Sequence, residues 1–200
     1  YAELLHLIGL EEKKDGGKKI IGRPKKEDRL AGSLLENTIN QLKTLDLVSR
    51  LDRPSQYGDT EDDRLFAVGL ELCITWVNRI LFLKLLEAQL ISYNKGNRDF
   101  GFLSSGKISD YDELNSLFFG VLAKQLQDRE EDLKAKFAQV PYLNSSLFEA
   151  TEMEYKTLRY PGHAKIMEAI RDLGLLSLEP VEVKGQQVVP RDVFVKVAGE

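Results

Sequence analysis

The stretch that decides the fold runs from residue 60 to residue 96 and reads TEDDRLFAVGLELCITWVNRILFLKLLEAQLISYNKG. Thr60 is a favourable N-cap residue, and the three acidic residues after it lie where negative charge stabilises the helix dipole. Gly96 is a typical residue at a helix end. The sequence therefore predicts one central helix that reaches about Tyr93, roughly 30 residues and on the order of 45 Å long.

The faces of this helix differ in polarity when its residues are placed at helical spacing. Polar residues form one narrow stripe: Arg64, Glu71, Thr75, Asn78 and Gln89. Most of the remaining girth is apolar, which is typical of a helix packed on several sides. Lys84 and Glu87 lie opposite the stripe. Arg79 lies among leucines, where a guanidinium must find an acceptor. We predict a carboxylate or a backbone carbonyl as its partner, with a phosphate contact as the alternative.

Shorter helices are predicted around the central one, over residues 1–10 and 30–51, from Ser109 or Asp110, and over residues 164–173. In residues 30–51 the leucines and isoleucine at helical spacing are Leu34, Leu35, Ile39, Leu42 and Leu45, and the buried face of the helix from residue 109 or 110 is predicted to be Leu114, Leu117, Phe118, Val121 and Leu122. Residues 128–132 are predicted to be a solvated charged stretch. Residues 181–189 alternate between apolar and polar side chains, with Lys184-Gly185 as the turn, and predict a hairpin; a second β-type stretch follows at residues 193–197. The predicted fold class is mainly α, a multi-helix domain with a long central helix and a small C-terminal appendage that contains the β-hairpin. We place the helical domain at residues 1–155 and the small α+β appendage at residues 156–200.

The composition restricts the classes of function. The 200 residues carry a formal net charge of −4, so any contact with nucleic acid must come from a local basic patch. The single cysteine, Cys73, excludes an internal disulfide framework, and we expect it to be a buried, inert thiol. No charge-free apolar run approaches the roughly 18 residues of a membrane span. We therefore expect a cytoplasmic protein without a membrane partner.

A basic segment over residues 13–29 is the strongest candidate for a binding site. It holds eight basic and three acidic residues, a local charge of +5, and its Asp15-Gly16-Gly17 sequence is typical of a turn. We predict a small hairpin or a mobile loop. Five residues are predicted to contact the DNA backbone: Lys18, Lys19, Arg23, Lys25 and Lys26. The alternative is a solvated loop with no ligand.

Other motifs favour catalysis only weakly. Residues 101–107 fit the spacing of a phosphate-binding G-x-x-x-x-G-K loop, but they lack the preceding buried strand and the Ser or Thr after the lysine. Glu182 and Lys184, with Asp172 upstream, match the Asp and Glu-x-Lys pattern of nucleases, but Glu-x-Lys alone occurs three more times in this chain. Catalytic residues, a zinc cluster and the Asn/Asp-Pro-Pro-Tyr/Phe motif of adenine methylation are not predicted.

Two blocks carry a resemblance to a known family. They are residues 77–87, VNRILFLKLLE, and residues 141–149, PYLNSSLFE, and they are supported by residues 1–12 and 32–39. In this order they resemble the helical region ahead of the methyltransferase domain in type IIG (also type IIS) single-chain restriction-modification enzymes. The residues that match the family motifs are Asn78, Arg79, Phe82, Tyr142, Asn144 and Phe148. Ser145-Ser146 departs from the Gly-Gly of many relatives, and the tail after about residue 156 does not align.

The resemblance implies a non-catalytic helical connector of a bacterial enzyme. The parent would be a site-specific adenine DNA methyltransferase fused to an endonuclease. The connector would space these two domains, which are its implied partners, and would bind double-stranded DNA weakly through the backbone. S-adenosylmethionine and Mg²⁺ are implied for the parent, and no cofactor for this segment. Two alternatives stay open: a self-contained protein–protein adaptor using Phe118-Phe119 and Tyr142, and a small Mg²⁺-dependent nuclease using Glu182 and Lys184.

Overall fold

The protein is mainly α, as predicted, in a computed structural model that describes residues 2–143, 146–158, 163–172, 181–183 and 186–188. The α-helices are Ala2–Ile8 (α1), Leu34–Thr44 (α2), Glu61–Tyr93 (α3), Tyr111–Asn115 (α4), Glu131–Lys136 (α5), Glu152–Lys156 (α6) and His163–Asp172 (α7). The strands Glu11–Asp15 (β1) and Lys18–Gly22 (β2) form one antiparallel hairpin, and Val181–Val183 (β3) and Gln186–Val188 (β4) form another. Short 3-10 turns are Lys26–Asp28, Val48–Arg50, Pro54–Tyr57, Arg98–Phe100, Leu126–Asp128 and Ser146–Phe148.

The central helix α3 begins and ends where the sequence predicts. The Asp63 amide donates to the Thr60 hydroxyl at 3.2 Å, and the Asp63 carboxylate accepts from the Thr60 amide at 3.2 Å, which closes a reciprocal cap. The Thr60 hydrogen bonds also hold the pKa of Asp63 below its ordinary value. At the other end Gly96 adopts a φ of 81°, and its amide donates to the Ile91 carbonyl at 2.8 Å. The prediction of this helix is confirmed.

Helix α2 is shorter than the predicted span of 30–51. Ser33 caps its start, because the Ser33 hydroxyl accepts a hydrogen bond from the Glu36 amide at 3.3 Å. The helix ends before Leu45, which is 55% exposed, and Asp46 follows with a φ of 46°. Both ends of the predicted span were therefore wrong, and Leu45, which the apolar spacing also included, is exposed. The spacing correctly identified four buried residues: Leu34, Leu35, Ile39 and Leu42.

The chain divides into two compact units by its internal contacts, Tyr1–Trp76 with Thr151–Ile166, and Val77–Ala150 with Met167–Glu200. The core of the first unit consists of apolar side chains from α2 and from the start of α3, including Leu35, Leu42, Val68 and Leu72. The core of the second unit includes Leu83, Phe102, Leu114, Phe118 and Phe148. The boundary that we predicted near residue 155 stays a prediction.

The helix predicted from Asp110 forms, but it changes character after one turn. The Asp110 carboxylate accepts from the Glu113 amide at 2.9 Å and caps α4. Residues 116–122 continue as a π-helix, in which the Ala123 amide donates to the Phe118 carbonyl at 3.1 Å. The predicted apolar face is fully buried: Leu114, Leu117, Phe118, Val121 and Leu122. The sequence pattern identified this face without indicating the wider turn.

The C-terminal elements follow the prediction as far as the structure describes them. Helix α7 corresponds to the predicted helix at residues 164–173, and β3 pairs with β4 as an antiparallel hairpin. The predicted turn at Lys184-Gly185 and the apolar stretch at residues 193–197 lie outside the described residues.

Candidate functional site

The basic segment folds as a hairpin with both faces in solvent. Asp15 pairs with Lys18 across a two-residue turn of Gly16 and Gly17, whose φ angles are 54° and 84°. Positive φ at both turn positions is the geometry that favours glycine in tight hairpins. All residues of the hairpin are exposed or half-buried, including Ile20 at 47% and Ile21 at 48% exposure. Of the two structures predicted for this segment, the hairpin is confirmed.

The lysines of this segment fall into two groups. Lys13 pairs with Glu11 at 3.0 Å and also donates to the Arg23 carbonyl at 2.9 Å, and Lys19 pairs with Glu12 at 3.0 Å. The second group is exposed, and its ammonium groups have no ion-pair partner in the described part of the chain: Lys14, Lys18, Lys25 and Lys26. We call these four residues the open lysines. They are the positive charges that an external anion can use without breaking an internal contact.

Arg23 has a different environment from the other predicted DNA contacts. Its guanidinium donates two hydrogen bonds to the Glu36 carboxylate, at 2.7 and 2.9 Å, and lies 3.4 Å from Asp62. The bond to Glu36 raises the pKa of Arg23, and only 10% of its side chain is exposed. A bidentate pair of this kind fixes the end of the hairpin to α2. The inclusion of Arg23 among the exposed backbone contacts therefore needs correction, since its donors are already occupied.

Arg79 brings the two family-motif blocks together. Its side chain is fully buried, and its Nε donates to the Leu147 carbonyl at 2.5 Å. One terminal nitrogen donates to the Glu149 carbonyl at 2.7 Å, and the guanidinium lies 5.7 Å from the Phe119 ring centroid. The structure thus confirms the predicted backbone carbonyl as partner. We call this set of contacts the Arg79 clamp.

The other motif residues take several environments. Phe82 is 43% exposed, and its ring lies 5.9 Å from that of Phe148, which is fully buried. Phe148 also stacks on Phe118 at 5.8 Å. Asn78 and Tyr142 are exposed, and Asn144 lies outside the described residues. The clamp and the ring contacts therefore join the first block to the second, whereas Asn78 lies on the solvent side of α3.

A buried ion pair between Lys84 and Glu87 organises the loop after α3. The helical spacing predicted that both residues lie opposite the polar stripe, but not that they pair. The Lys84 ammonium lies 2.6 Å from the Glu87 carboxylate, and both side chains are almost fully buried. Glu87 Oε1 also accepts from the amides of Phe102 and Leu103, each at 2.7 Å. Charge-assisted bonds to successive amides hold the loop against the helix. The Lys107 ammonium of the G-x-x-x-x-G-K pattern donates to the Gly101 carbonyl at 2.7 Å, so it closes its own loop.

Comparison with known proteins gives one match. The model of a family described as a domain of unknown function, DUF7814, matches residues 1–167. The chain belongs to the DUF7814 family. The matched range includes the basic hairpin, α3 and both blocks of the Arg79 clamp. No curated protein and no solved structure matches the chain.

The remaining candidates in this DUF7814 chain do not form an assembled site within the residues that the structure describes. Across the described ranges, no three His, Cys, Asp or Glu side chains form a group that could hold a metal ion. Asp172 is exposed on α7 and Glu182 lies in β3, while Lys184 lies outside the described residues. Cys73 is fully buried beside Thr38, with 3.5 Å between sulfur and hydroxyl, and burial raises the pKa of its thiol to about 12. It is the buried thiol that the sequence predicts.

Helix α3 also meets the length and composition of a membrane span, a test that the core helix of a soluble protein passes as well. Within this DUF7814 domain, the helix carries three buried charged side chains, Arg79, Lys84 and Glu87. Each of them contacts polar groups of the protein, as described above. We interpret α3 as a core helix on these contacts.

Proposed function

We propose that this chain is the helical connector of a bacterial restriction-modification enzyme, cytoplasmic and without catalytic residues of its own. It would space a nuclease domain from an adenine-N6 DNA methyltransferase domain and contact the DNA backbone weakly. S-adenosylmethionine and Mg²⁺ belong, in this proposal, to those flanking domains. The Arg79 clamp is the observation that supports the proposal most, because it joins in space the two sequence blocks that carry the resemblance.

The open lysines support the contact with DNA. Lys14 and Lys18 lie beside the turn of the hairpin, and Lys25 and Lys26 follow it, all exposed and without internal ion pairs in the described residues. Lysine ammonium groups neutralise phosphates without reading the base sequence. Each phosphate neutralised releases counterions and steepens the salt dependence of binding. The segment is thus suited to a weak contact that does not depend on sequence.

The salt dependence of binding tests this proposal. A variant with all four open lysines changed to Gln and the unchanged chain are titrated against a random duplex by fluorescence anisotropy, at salt concentrations between about 50 and 200 mM. If each open lysine contacts one phosphate, the slope of log K against log salt should flatten by about 3.6 in the variant. A slope that does not change would contradict the proposed contact.

Two controls make the test specific. A variant with Lys43, Lys95, Lys124 and Lys134 changed to Gln loses the same charge elsewhere and should retain the slope. Arg23→Gln should lower the stability of the fold, because it breaks the pair with Glu36, and should change the slope by less than about 1. Equal effects of both quadruple variants would indicate a general charge effect and no site.

A protein–protein adaptor remains the second candidate, but its binding surface differs from the one that we predicted. Phe118 is fully buried, so the surface that we predicted around Phe118-Phe119 and Tyr142 needs correction. The exposed apolar side chains on α3 support the adaptor instead, since Phe82, Leu85 and Tyr93 are 43%, 44% and 83% exposed. Binding of a hydrophobic dye that decreases in the Leu85→Glu variant is expected if this face is open. No dye binding to the unchanged chain would count against the adaptor.

A further inference from the structure

The second half of α3 has its charged residues inside the protein and an uncharged side in solvent. Between Val77 and Tyr93 the charged residues are Arg79, Lys84 and Glu87, and all three are buried. The exposed side of this part, about 25 Å of helix, therefore carries no charge. A surface helix usually has the reverse arrangement, with its charged residues in solvent. An uncharged apolar side of this length is typical of a surface that another molecule covers.

The residues on this side form one strip that is centred on Leu85. At about 100° per residue, they lie within about 80° of Leu85 around the helix axis. Each of them is exposed or half-buried, so the strip is accessible over its whole length. We call this set the Leu85 strip, and it consists of Val77, Asn78, Leu81, Phe82, Leu85, Ala88, Gln89, Ser92 and Tyr93.

The polarity of the Leu85 strip is nearly symmetric about its centre, so two antiparallel copies match each other. In such a pair, a residue before Leu85 lies beside one that follows it by about the same number of positions. Leu81 then meets Ala88 of the second copy, and the small side chain leaves room for the large one. Asn78 comes within reach of the Ser92 hydroxyl of the second copy, so polar groups meet at both ends. No charge lies in this contact, and the two helix dipoles run in opposite directions.

The area of the strip corresponds to a weak dimer. An aromatic side chain presents about 200 Å² in all, so Phe82 and Tyr93, at 43% and 83% exposure, offer about 250 Å² together. The rest of the strip offers about as much again, which gives about 1,000 Å² for two copies, the lower limit of a specific interface. Interfaces of this size are transient, so we expect a dissociation constant of about 10–100 µM.

We propose that the Leu85 strip is the interface of an antiparallel homodimer of this chain, with the two-fold axis at Leu85. The interface is isologous, since each copy uses the same strip. The buried pair of Lys84 and Glu87 stays inside each copy. This inference goes beyond the proposed function and does not depend on DNA binding. It identifies a second copy of the chain as the molecule that covers the exposed side of α3.

Sedimentation velocity of the unchanged chain between about 5 and 500 µM tests the dimer. Leu85→Glu brings two carboxylates together at the axis and should raise the dissociation constant at least about tenfold. Leu45→Glu is the matched control, because Leu45 is also an exposed leucine, and it should leave the dimer unchanged. A chain that stays monomeric at every concentration would overturn the inference, and the strip would then be open to a different protein. Equal weakening by both variants would overturn it as well.

Disulfide cross-linking under mild oxidation tests the antiparallel register. With helix axes about 8–10 Å apart, the two Cα atoms at position 85 lie about 4–6 Å apart, within the range of a disulfide. Leu85→Cys should therefore form covalent dimers. Ser92→Cys should not, because its two copies lie about 21 Å apart along the helices. The native Cys73 is buried and does not compete. Cross-linking of Ser92→Cys as fast as that of Leu85→Cys would overturn this register.

The dimer and the proposed function have separate measurements. A chain that dimerises through position 85 but binds no duplex at about 50 mM salt would overturn only the DNA contact. A monomer whose DNA binding depends on the open lysines would overturn only the homodimer.

Discussion

Arg79→Ala is the substitution that should affect the fold of the second unit most. The guanidinium is fully buried and donates to the carbonyls of Leu147 and Glu149 at 2.5 and 2.7 Å. Alanine removes both bonds, leaves two carbonyls without these donors and opens a cavity beside the Phe119 ring. The segment of residues 146–150 then loses these two hydrogen bonds to α3.

The expected cost follows from these contacts. A hydrogen bond to a charged group contributes about 1.5–3 kcal/mol, so two such bonds correspond to about 3–6 kcal/mol, and desolvation of the buried guanidinium offsets part of this. We expect a net loss of about 4 kcal/mol in the free energy of unfolding. Because 1 kcal/mol shifts the Tm of a chain of this size by about 2–4 °C, the Tm should fall by about 8–16 °C.

Urea denaturation and limited proteolysis measure the effect. The variant should unfold at lower urea and should be cleaved faster within residues 141–150. Arg79→Lys keeps the charge but loses the planar fork, so we expect an intermediate loss of stability. Arg50→Ala, at an exposed position, is the control and should change stability by less than about 0.5 kcal/mol. A cost below about 1 kcal/mol for Arg79→Ala, with unchanged proteolysis, would refute the clamp as a stabilising contact.

Glu113 and Gly9 allow two further predictions, one on pH and one on backbone geometry. The ion pair with Lys136 and the bond from the Ser109 amide lower the pKa of Glu113 from 4.5 to about 2. The stabilisation by the Glu113 carboxylate is therefore present above pH 4.5 and is lost as the pH falls towards 2. In urea titrations, the free energy of unfolding of Glu113→Gln should be lower than that of the unchanged chain by at most about 1 kcal/mol at pH 6. The two free energies should be equal near pH 2. A difference independent of pH would contradict this. Gly9 has a φ of 93°, and an added Cβ would lie 2.3 Å from the Ser33 hydroxyl oxygen. Gly9→Ala should thus destabilise the fold by about 1–3 kcal/mol, whereas Gly106→Ala, at an open position, should change it little; equal thermal stability of the two variants would disprove the steric argument.

Local sequence signals were sufficient for the elements that depend on neighbouring residues. Thr60 and Asp63 cap α3 from three residues apart, Gly96 ends it, and the glycine turn closes the first hairpin. The apolar spacing located the buried face of residues 114–122. In each case the residues that determine the structure lie within a few positions of one another, so a pattern in the sequence can contain the whole cause.

These local signals could not predict contacts between residues that are distant in the sequence. The sequence predicted the kind of partner that Arg79 needs, but not that it lies at Leu147 and Glu149, because nothing local specifies a bond across 68 or 70 residues. Arg129 was expected in a solvated charged stretch, yet it is 4% exposed and donates to the Val140 carbonyl at 2.9 Å. Arg23 likewise resembled its basic neighbours until its pair with Glu36 distinguished it. For such groups, only the fold shows which charges are already in use.

The spacing of the polar contacts along the chain also has a consequence for the order of folding. Glu87 bonds amides 15 and 16 residues away, whereas the Arg79 clamp closes loops of 68 and 70 residues. From the logarithm of loop length, the longer closure costs about 1.3 kcal/mol more in chain entropy. We therefore expect the loop at Phe102 to dock while the segment at residues 147–149 is still free. A contact that forms last contributes little to the speed of folding and mostly slows unfolding, so the lifetime of the folded chain depends on Arg79.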